Sequence, residues 1–361
     1  MGFNKGAALD LSVVIPSYNS AQWLPSTLSD LELALSKTSW NAEVLIVDDG
    51  STDESVQMLT ALATKYAYRL RIVSQPTQGR FLARWAGLQA AEAPNVLLLD
   101  SRVLMHPDSL QHVESIQRDQ PKETTWNGHA VTDPESSLVG QFWEVPVRLF
   151  WGAYLAHPSA THITLENYNS LPKGTTFFLA PRASLIRACE LGWPTENAAL
   201  SSDDTKVLRS IAGDIPIRLD PQFMAVYRPR TTISAFVRHS FGRGTFLVDS
   251  FGGTSCGWNA ALMVSGVLPL VLLSLVAVLL ANALFAVTAI FLAACIALLL
   301  VPAAIGIARR CPRRGVLSYV LFVLVFVVPY WAGIVRGIGV HGAKLVRVEK
   351  RTTESREAKV S

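Results

Sequence analysis

The sequence predicts an α/β domain built on a mostly parallel sheet, followed by an all-α C-terminal transmembrane region. Apolar and charged residues alternate through the first half, whereas no Asp, Glu, Lys, Arg or His occurs between Asp249 and Arg309 or between Arg314 and Arg336. Within the first half, short apolar runs alternate with segments in which leucines recur at helical spacing. That rhythm of strand and helix is typical of a parallel sheet covered by helices on both faces.

The order of these elements predicts where a ligand would bind. The predicted strands are residues 11–16, 43–47, 70–73 and 95–99, and the predicted helices are 21–37, 53–66 and 79–91. In such sheets ligands bind beyond the carboxyl ends of the strands. The polar residues at these ends are Tyr18, Asn19, Asp48, Asp49, Asp100 and Arg102. We therefore expect them on one rim of the sheet.

The second half is long enough to cross a membrane more than once. Residues 260–308 are about twice the roughly 20 residues that span a bilayer once, and Asn282 lies near their middle. This predicts a hairpin of helices at about 260–281 and 283–308, with a third span at about 316–338. The predicted divisions are a globular domain (1–227), an amphipathic interfacial segment (228–258), transmembrane helices (259–340) and a basic cytoplasmic or exposed tail (341–361).

Basic residues predict the orientation of these parts. The chain starts without a charged segment that leads into an apolar one of secretory type, so the globular domain of this multi-pass cell-membrane protein is expected in the cytoplasm. The cluster from Arg309 to Arg314 belongs on the same side, which fits an out-and-back hairpin. A complete third crossing would put the basic tail outside. Two alternatives stay open, three spans, which we favour, or a last segment that is re-entrant or interfacial.

The net charge of +4 originates in the membrane half. Residues 259–361 hold 11 Lys and Arg against 3 acidic residues, which leaves 21 against 25 in residues 1–258. A basic membrane half favours contact with anionic lipid head groups. The expected partners therefore include membrane lipids and exclude nucleic acid.

Four motifs in sequence order carry a family resemblance. They are SVVIPSYN at 12–19, VDDGSTD at 47–53, GRFLARWAG at 79–87 and SSDDT at 201–205. With the stretch from Gly174 to Arg182 and with Gly192, which lead to the acidic motif, they resemble family 2 glycosyltransferases of the Rossmann-like GT-A fold, in particular membrane-anchored bacterial members. The resemblance covers most of residues 10–245 and implies a nucleotide-sugar donor. The chain departs from the pattern at Trp85, where Asn is usual.

The resemblance implies that Asp49 binds the nucleobase and that Pro16 and Tyr18 line the same pocket. A carboxylate at a strand end can accept a hydrogen bond from a base N–H, and Gly50 lets the backbone turn beside it. The alternative is that this segment is only a turn and a helix cap, a role that suits Asp53.

Arg84 lies on the helix that enters the rim. Its guanidinium could hold a donor phosphate or pair with Asp49 or Asp100. The alternative is a solvated arginine on the helix face.

Asp100-Ser101-Arg102 occupies the position of the family's D-x-D motif, whose carboxylates bind the donor ribose and a divalent metal. Arg102 replaces the last carboxylate, and a cation repels a metal. Three alternatives stay open. Arg102 takes over part of the metal's task by pairing with the diphosphate, or Mg or Mn binds through Asp100, the diphosphate and His239, or the site is degenerate.

The acidic motif implies the catalytic base. In the family the second acid of the pair has this role, and Asp204 matches it. It would deprotonate the acceptor hydroxyl during an inverting single displacement. The alternative is that one of the two carboxylates caps the helix predicted at 205–211, a role that suits Asp203.

Two further segments each allow two interpretations of their function. Residues 236–244 resemble the stretch after the catalytic base in membrane-bound members, where Arg243 would contact the diphosphate, but arginines that meet lipid phosphates would look the same. The aromatic residues of 141–151 fit either sugar stacking or a membrane interface.

The leading hypothesis is hexosyl-type transfer from a nucleotide sugar to a hydroxyl of a lipid-linked or cell-envelope glycan acceptor at the cytoplasmic membrane face. A second is transfer to a polyprenyl phosphate, which is already ionised near neutral pH and needs no base. The third, from another class, is a non-catalytic nucleotide-sugar-binding scaffold, motivated by Arg102 and Trp85. A processive synthase is disfavoured because the Q-x-x-R-W signature is missing.

Overall fold

The structure is a computed structural model that describes residues 7–194 and 204–346. The strands are β1 (Leu11–Ser17), β2 (Ala42–Asp48), β3 (Arg69–Ser74), β4 (Asn95–Leu99), β5 (Val103–Met105), β6 (Trp126–Thr132), β7 (Thr161–Ile163), β8 (Phe177–Pro181) and β9 (Ile217–Tyr227). The helices are α1 (Leu24–Ser36), α2 (Ser55–Ala63), α3 (Arg80–Ala90), α4 (Ser109–Asp119), α5 (Glu144–Ala156), α6 (Arg182–Leu191), α7 (Thr205–Asp214), α8 (Ile233–Phe251), α9 (Cys256–Ala281), α10 (Phe285–Ala308) and α11 (Arg313–Val346). A short 3-10 helix, Leu138–Trp143, precedes α5.

Within the described ranges, nine strands form one mixed sheet in the order β3-β2-β1-β4-β8-β6-β9-β5, with β7 beside β9. The four strands predicted from sequence, β1 to β4, pair in parallel. Beyond β4 the sheet is mixed, because β8 runs antiparallel to both β4 and β6 while β6 and β9 are parallel. The predicted fold class, a Rossmann-like sheet with flanking helices and an all-α C-terminal region, is confirmed.

Both faces of the sheet are covered. On β1 the side chains of Val13 and Ile15 join one apolar cluster and Val14 joins the other, as the period-2 alternation of a strand requires. Helix α3 lies close above β1 and β2, because a Cβ on Gly87 would overlap Val14 and lie 3.1 Å from Val47. The glycine at the end of the GRFLARWAG motif therefore sets how near α3, and Arg84 on it, come to the strand ends.

The described residues group into two compact units. The first holds the sheet domain up to residue 233 together with residues 301–322, and the second holds 234–300 and the chain from 323 onward. Three helices, α9, α10 and α11, are long and apolar enough to span a membrane. The predicted hairpin turns at Asn282 to Leu284, where Ala283 has a positive φ of 56°.

The third apolar helix is longer than predicted. Helix α11 runs from Arg313 to Val346, whereas the sequence predicted a span of about 316–338. Most of the predicted basic tail lies outside the described residues. The predicted domain boundaries stay predictions.

Candidate active site

The loops after β1 and β2 are tied to each other at the carboxyl edge of the sheet. The Asn19 side-chain oxygen accepts a hydrogen bond of 2.8 Å from the Thr52 backbone N–H, and the Asn19 N–H donates to the Ser51 hydroxyl at 2.9 Å. Asn19 adopts a positive φ of 48°, a conformation that Asn tolerates better than most residues. Of the two residues predicted to line the pocket here, Tyr18 is 51% exposed, whereas Pro16 is buried in β1.

Asp49 holds the loop before α3 in place through hydrogen bonds. Its Oδ1 accepts hydrogen bonds from the Gln75 side chain (2.7 Å) and the Gln78 N–H (2.8 Å), and its Oδ2 accepts one from the Gly79 N–H (2.9 Å). A carboxylate offers about four acceptor positions. Three are used inside the protein, so a base N–H could take the one that remains. Asp53 has the structural role at a helix start that was expected of it, since it accepts a hydrogen bond from the Ser55 N–H at the start of α2.

Arg84 and Asp100 form a buried ion pair at the strand ends. The Arg84 Nη2 and the Asp100 Oδ1 are 2.6 Å apart, and the two side chains are 4% and 16% exposed. The prediction that Arg84 could pair with Asp100 is confirmed, and the solvated-arginine alternative is wrong because α3 packs too close to the sheet. Burial lowers the pKa of the Arg84 guanidinium, and the carboxylates of Asp100 and Asp204 oppose that shift. Asp204 therefore lies within electrostatic reach of the pair.

Arg102 lies in a cluster of guanidinium groups around Trp23. Its Cζ is 4.4 Å from the centre of the Trp23 ring, and the Arg228 Cζ is 5.0 Å from the same ring. The Arg102 Nη1 donates to the Pro229 carbonyl at 3.3 Å. Burial lowers the Arg102 pKa to about 10, with a further contribution from Arg230 and a smaller one from Arg228, while Asp100 acts in the other direction. An anion bound here would relieve this excess of positive charge.

Asp204 caps α7. Its Oδ1 accepts hydrogen bonds from the Thr205 N–H (2.5 Å) and the Thr205 hydroxyl (3.0 Å). One of the two carboxylates was expected from sequence to cap this helix, with Asp203 considered suited to it; the structure shows Asp204 in that role. Ser201, Ser202 and Asp203 lie outside the described residues. The helix N-terminus favours the ionised carboxylate, which is the form a base needs.

Sequence reasoning missed a cationic and aromatic group next to Asp204. The Lys173 Nζ lies 4.1 Å from the Tyr168 ring centre and 5.8 Å from that of Trp151, and the Arg209 Cζ lies 4.8 Å from the Tyr168 ring. The Tyr168 hydroxyl donates to the Thr205 carbonyl at 2.7 Å. Burial, with a smaller contribution from Arg209, lowers the Lys173 pKa to about 8, while Asp204 acts in the other direction. Only the position of Lys173 directly before Gly174 hinted at this in the sequence.

The aromatic stretch 141–151 divides between core and site. Phe142 is fully buried and stacks on Tyr319 at 5.2 Å, whereas Phe150 is 71% exposed and Trp151 lies near Lys173. The unusual Trp85 packs edge-on against Trp193 at 5.2 Å, on the side of α3 that faces α6 and α7. Trp85 therefore has a packing role that the family's Asn could not have.

The residues at the position of the D-x-D motif do not form a metal site of the usual carboxylate type. Asp100 is already paired with Arg84, and Arg102 stands where a second carboxylate would be. Among the described residues, no three His, Cys, Asp or Glu side chains are grouped so that they could hold a metal ion. His239 and Arg243 lie on α8 in the second compact unit, and their predicted roles stay predictions.

Residues 12–133 match the model of the family described as glycosyl transferase family 2. These residues make up the first part of the sheet domain, so this part of the chain matches glycosyl transferase family 2. The matched residues include Pro16, Tyr18, Asp49, Arg84, Asp100 and Arg102. Asp204, Arg243 and His239 lie beyond the match.

Curated relatives match over a similar length. An uncharacterized glycosyltransferase of Nostoc sp. is 32% identical over 108 residues, which are 30% of this chain and 33% of the relative. An undecaprenyl-phosphate 4-deoxy-4-formamido-L-arabinose transferase of Aeromonas hydrophila is 33% identical over 101 residues, 28% of this chain and 31% of the relative. The chain thus spans about a third of the length of these relatives.

A solved structure covers more of the chain. The mannosyltransferase PcManGT from Pyrobaculum calidifontis, in complex with GDP-Man and Mn²⁺, aligns with 96% of this chain and 89% of its own, at a TM-score of 0.47 and 17% identity.

Proposed function

We propose that the protein is an inverting glycosyltransferase that moves a sugar from a nucleotide-sugar donor to a hydroxyl of a lipid-linked or cell-envelope glycan at the cytoplasmic membrane face. The observation that carries this proposal is the buried Arg84–Asp100 pair at the carboxyl ends of the strands, within electrostatic reach of Asp204. The family 2 match over residues 12–133 and the three apolar helices support it.

In the proposed reaction, Asp204 is the catalytic base. It takes the proton of the acceptor hydroxyl while that oxygen attacks the anomeric carbon of the donor. The new C–O bond forms on the side of the anomeric carbon opposite the diphosphate. The bond from that carbon to the diphosphate oxygen breaks, and nucleoside diphosphate leaves with the electron pair. The configuration at the anomeric carbon therefore inverts. The hydrogen bonds from Thr205 would hold the carboxylate in place during this step.

On the donor side, Asp49 would bind the base in the pocket of Pro16 and Tyr18, and Asp100 would accept from a ribose hydroxyl. Arg102, with Arg228 and Arg230 beside it, would offset the charge of the diphosphate, and Arg243 would add to it. Guanidinium groups suit phosphate oxygens because they donate two parallel hydrogen bonds. The proposed mechanism has no step at a protein-held metal, because the carboxylate set for one is incomplete.

A donor panel tests this proposal. Membranes containing the full-length protein are incubated with nucleotide sugars, with and without a divalent-metal chelator, and both released nucleoside diphosphate and glycosylated lipid are measured. We expect release with one donor, loss of release in Asp204→Asn, and activity that survives chelation. Donor binding without release under any metal condition would contradict a transferase and favour the scaffold alternative. Complete loss on chelation would contradict the arginine-based account of the diphosphate.

A second candidate acceptor is a polyprenyl phosphate. Lys173 and Arg209 near Asp204 favour it, because two cations beside one carboxylate suit an anionic acceptor. The Aeromonas hydrophila relative is named for undecaprenyl-phosphate.

The two candidates differ in their need for a base. A phosphate acceptor is already ionised near neutral pH. If the acceptor is a hydroxyl, Asp204→Asn should therefore abolish transfer. If the acceptor is polyprenyl phosphate, the same variant should leave transfer largely intact. Unimpaired transfer to polyprenyl phosphate by this variant would favour the second candidate.

A further inference from the structure

The length of helix α11 suggests a membrane crossing, whereas the basic residues on both sides of it suggest that both ends lie in one compartment. The helix has 34 residues, more than the roughly 20 that cross a bilayer, yet a full crossing would separate the basic cluster before it from the basic residues after it. The contacts at its two ends decide on which side of the membrane each end lies.

The first end of α11 lies on the side of the globular domain. Arg309, just before it, donates to the carbonyls of Arg148 (2.7 Å) and Leu149 (2.6 Å) on α5. Arg314 donates to the carbonyls of Pro134 (2.6 Å) and Ser136 (2.9 Å), and Tyr319 stacks on Phe142. All these residues belong to the first compact unit. The connection between α10 and α11 is therefore attached to the sheet domain.

This attachment fixes how many crossings precede it. The chain leaves the domain near residue 233 and returns to it at Arg309, so it crosses the membrane an even number of times between them. Helices α9 and α10, each long and apolar enough to span a membrane, account for two crossings. Helix α8 has three charged residues, Arg238, Arg243 and Asp249, and cannot add a third. The end of α8 and the start of α9 are thus also on the domain side.

The second end of α11 packs against these two segments. The Thr245 hydroxyl donates to the Gly333 carbonyl at 3.1 Å, and a Cβ on Gly244 would lie 2.8 Å from the Ile334 nitrogen, so α8 and α11 are in backbone contact. Further along, the Asn259 side chain at the start of α9 donates to the Leu345 carbonyl at 2.8 Å. The last turns of α11 lie next to the domain-side end of α9.

We propose that α11 does not cross the membrane but lies along its interface, with both ends on the side of the globular domain. A stripe of exposed apolar side chains lies on one face of the helix between residues 317 and 335; its members include Leu317, Leu321, Leu324, Val328 and Val335. The opposite face carries Tyr319, Ile334 and His341, which are buried against protein. The exposed stripe is the surface that enters the boundary between head groups and acyl chains.

The proposal changes the membrane topology to two spans and one interfacial helix. It also removes the conflict in charge, since the basic residues on both sides of α11 then share one compartment. The inference concerns topology and does not depend on the proposed reaction.

Single-cysteine labelling tests which side the chain end occupies. In a background in which Cys189, Cys256, Cys295 and Cys311 are replaced by Ala or Ser, one cysteine is placed at Ser361, with Lys122→Cys as the domain-side control and Asn282→Cys as the far-side control. Sealed vesicles with the domain outward are treated with a membrane-impermeant maleimide before and after permeabilisation. We expect Ser361→Cys to react before permeabilisation, as Lys122→Cys does. Reaction only after permeabilisation, as for Asn282→Cys, would overturn the proposal.

A depth measurement distinguishes an interfacial helix from a re-entrant one. Spin labels at Leu317, Leu324, Val328 and Val335 report depth through their accessibility to oxygen and to a polar nickel complex, and Leu273 in α9 is the deep reference. An interfacial helix predicts that all four labels lie at a similar shallow depth, about 5–10 Å below the head groups, while Leu273 lies deeper. Labels at Leu324 and Val328 as deep as Leu273 would overturn the proposal.

Discussion

Two buried ion clusters lie at opposite edges of the same sheet. At the amino ends of the strands, the fully buried Glu43 accepts hydrogen bonds from the Ser12 hydroxyl (2.7 Å), Arg71 (3.0 Å) and the Glu92 N–H (2.8 Å). At the carboxyl ends, Asp100 and Arg84 pair at 2.6 Å beside Arg102, and Asp204 lies within electrostatic reach. The two clusters use the same residue types.

The two clusters differ in how far their charges are already paired within the protein. Glu43 is fully buried, and its hydrogen-bond partners are all protein groups that join β1, β2, β3 and the chain just before β4, which is what a structural carboxylate requires. The carboxyl-edge cluster brings together cations and carboxylates that are only partly matched in charge, at the edge where ligands of such sheets bind. Burial of charge alone therefore does not identify a site. The first cluster should matter for stability and the second for chemistry.

The largest expected effect is on catalysis by Asp204→Asn. Loss of a general base should lower the rate of transfer to a hydroxyl acceptor by about 10²- to 10⁴-fold. Asp214→Asn, at the other end of α7 where Asp214 pairs with Arg187 on the surface, is the matched control and should keep full activity. Initial rates of nucleoside diphosphate release measure both. Equal rates for the two variants would remove Asp204 from the mechanism.

Next in size is the loss of stability in Glu43→Ala. Removing one partner of a buried ion pair costs about 3–5 kcal/mol, because the arginines and the buried hydroxyl lose their acceptor. We expect a melting temperature several degrees lower in detergent, with the donor KM of the folded fraction unchanged. Glu92→Ala, which removes an exposed partner of Arg69 and Arg71, should change stability little. A changed donor KM in Glu43→Ala would break the division between the two edges.

Asp100→Asn should have the opposite pattern. The change removes a charge but keeps the shape, so we expect kcat/KM for the donor to fall about 10- to 100-fold, the equivalent of one hydrogen bond to a charged group. The melting temperature should fall less than in Glu43→Ala, since Asp100 remains partly exposed. A large loss of stability with unchanged kinetics would make Asp100 a structural residue like Glu43.

The smallest effect concerns pH. Because burial lowers the Lys173 pKa to about 8, this side chain is positive below that pH and loses its charge as the pH rises through it. If Lys173 holds the phosphate of a lipid-linked acceptor, the acceptor KM should rise several-fold between pH 7 and pH 9. Lys173→Arg stays charged and should flatten the profile, while Lys173→Met should show the high KM throughout. Identical profiles for all three would exclude Lys173 from acceptor binding.

Local signals predicted much of the fold. Strands β1 to β4 and the hairpin of α9 and α10 form from contiguous apolar runs, so their positions were correct to within a few residues. The mixed half of the sheet was not predicted, because β5 and β7 have three residues each and are stabilised by pairing with the distant β9.

The site could be predicted only where a motif encodes it. The pairing of Arg84 with Asp100 was among the possibilities expected from the position of Arg84 on the helix that enters the rim and of Asp100 at a strand end. The stacking of Arg102 on Trp23 could not be predicted, since Trp23 precedes it by about 80 residues and no periodicity links them. The same holds for Lys173, which loop geometry brings within electrostatic reach of Asp204. That Asp204 caps α7 could not be decided from sequence, because a choice between two adjacent carboxylates is finer than sequence patterns resolve.

The most direct test of the central claim is to locate the donor site by hydrogen exchange. The full-length protein in detergent is measured with and without UDP and GDP. The account predicts slower exchange at residues 17–20, 48–52, 76–84 and 99–103, with no change around Glu43 and Glu92. Protection at the amino edge instead, or no protection with any nucleoside diphosphate, would contradict the claim that the carboxyl edge of the sheet binds a nucleotide-sugar donor.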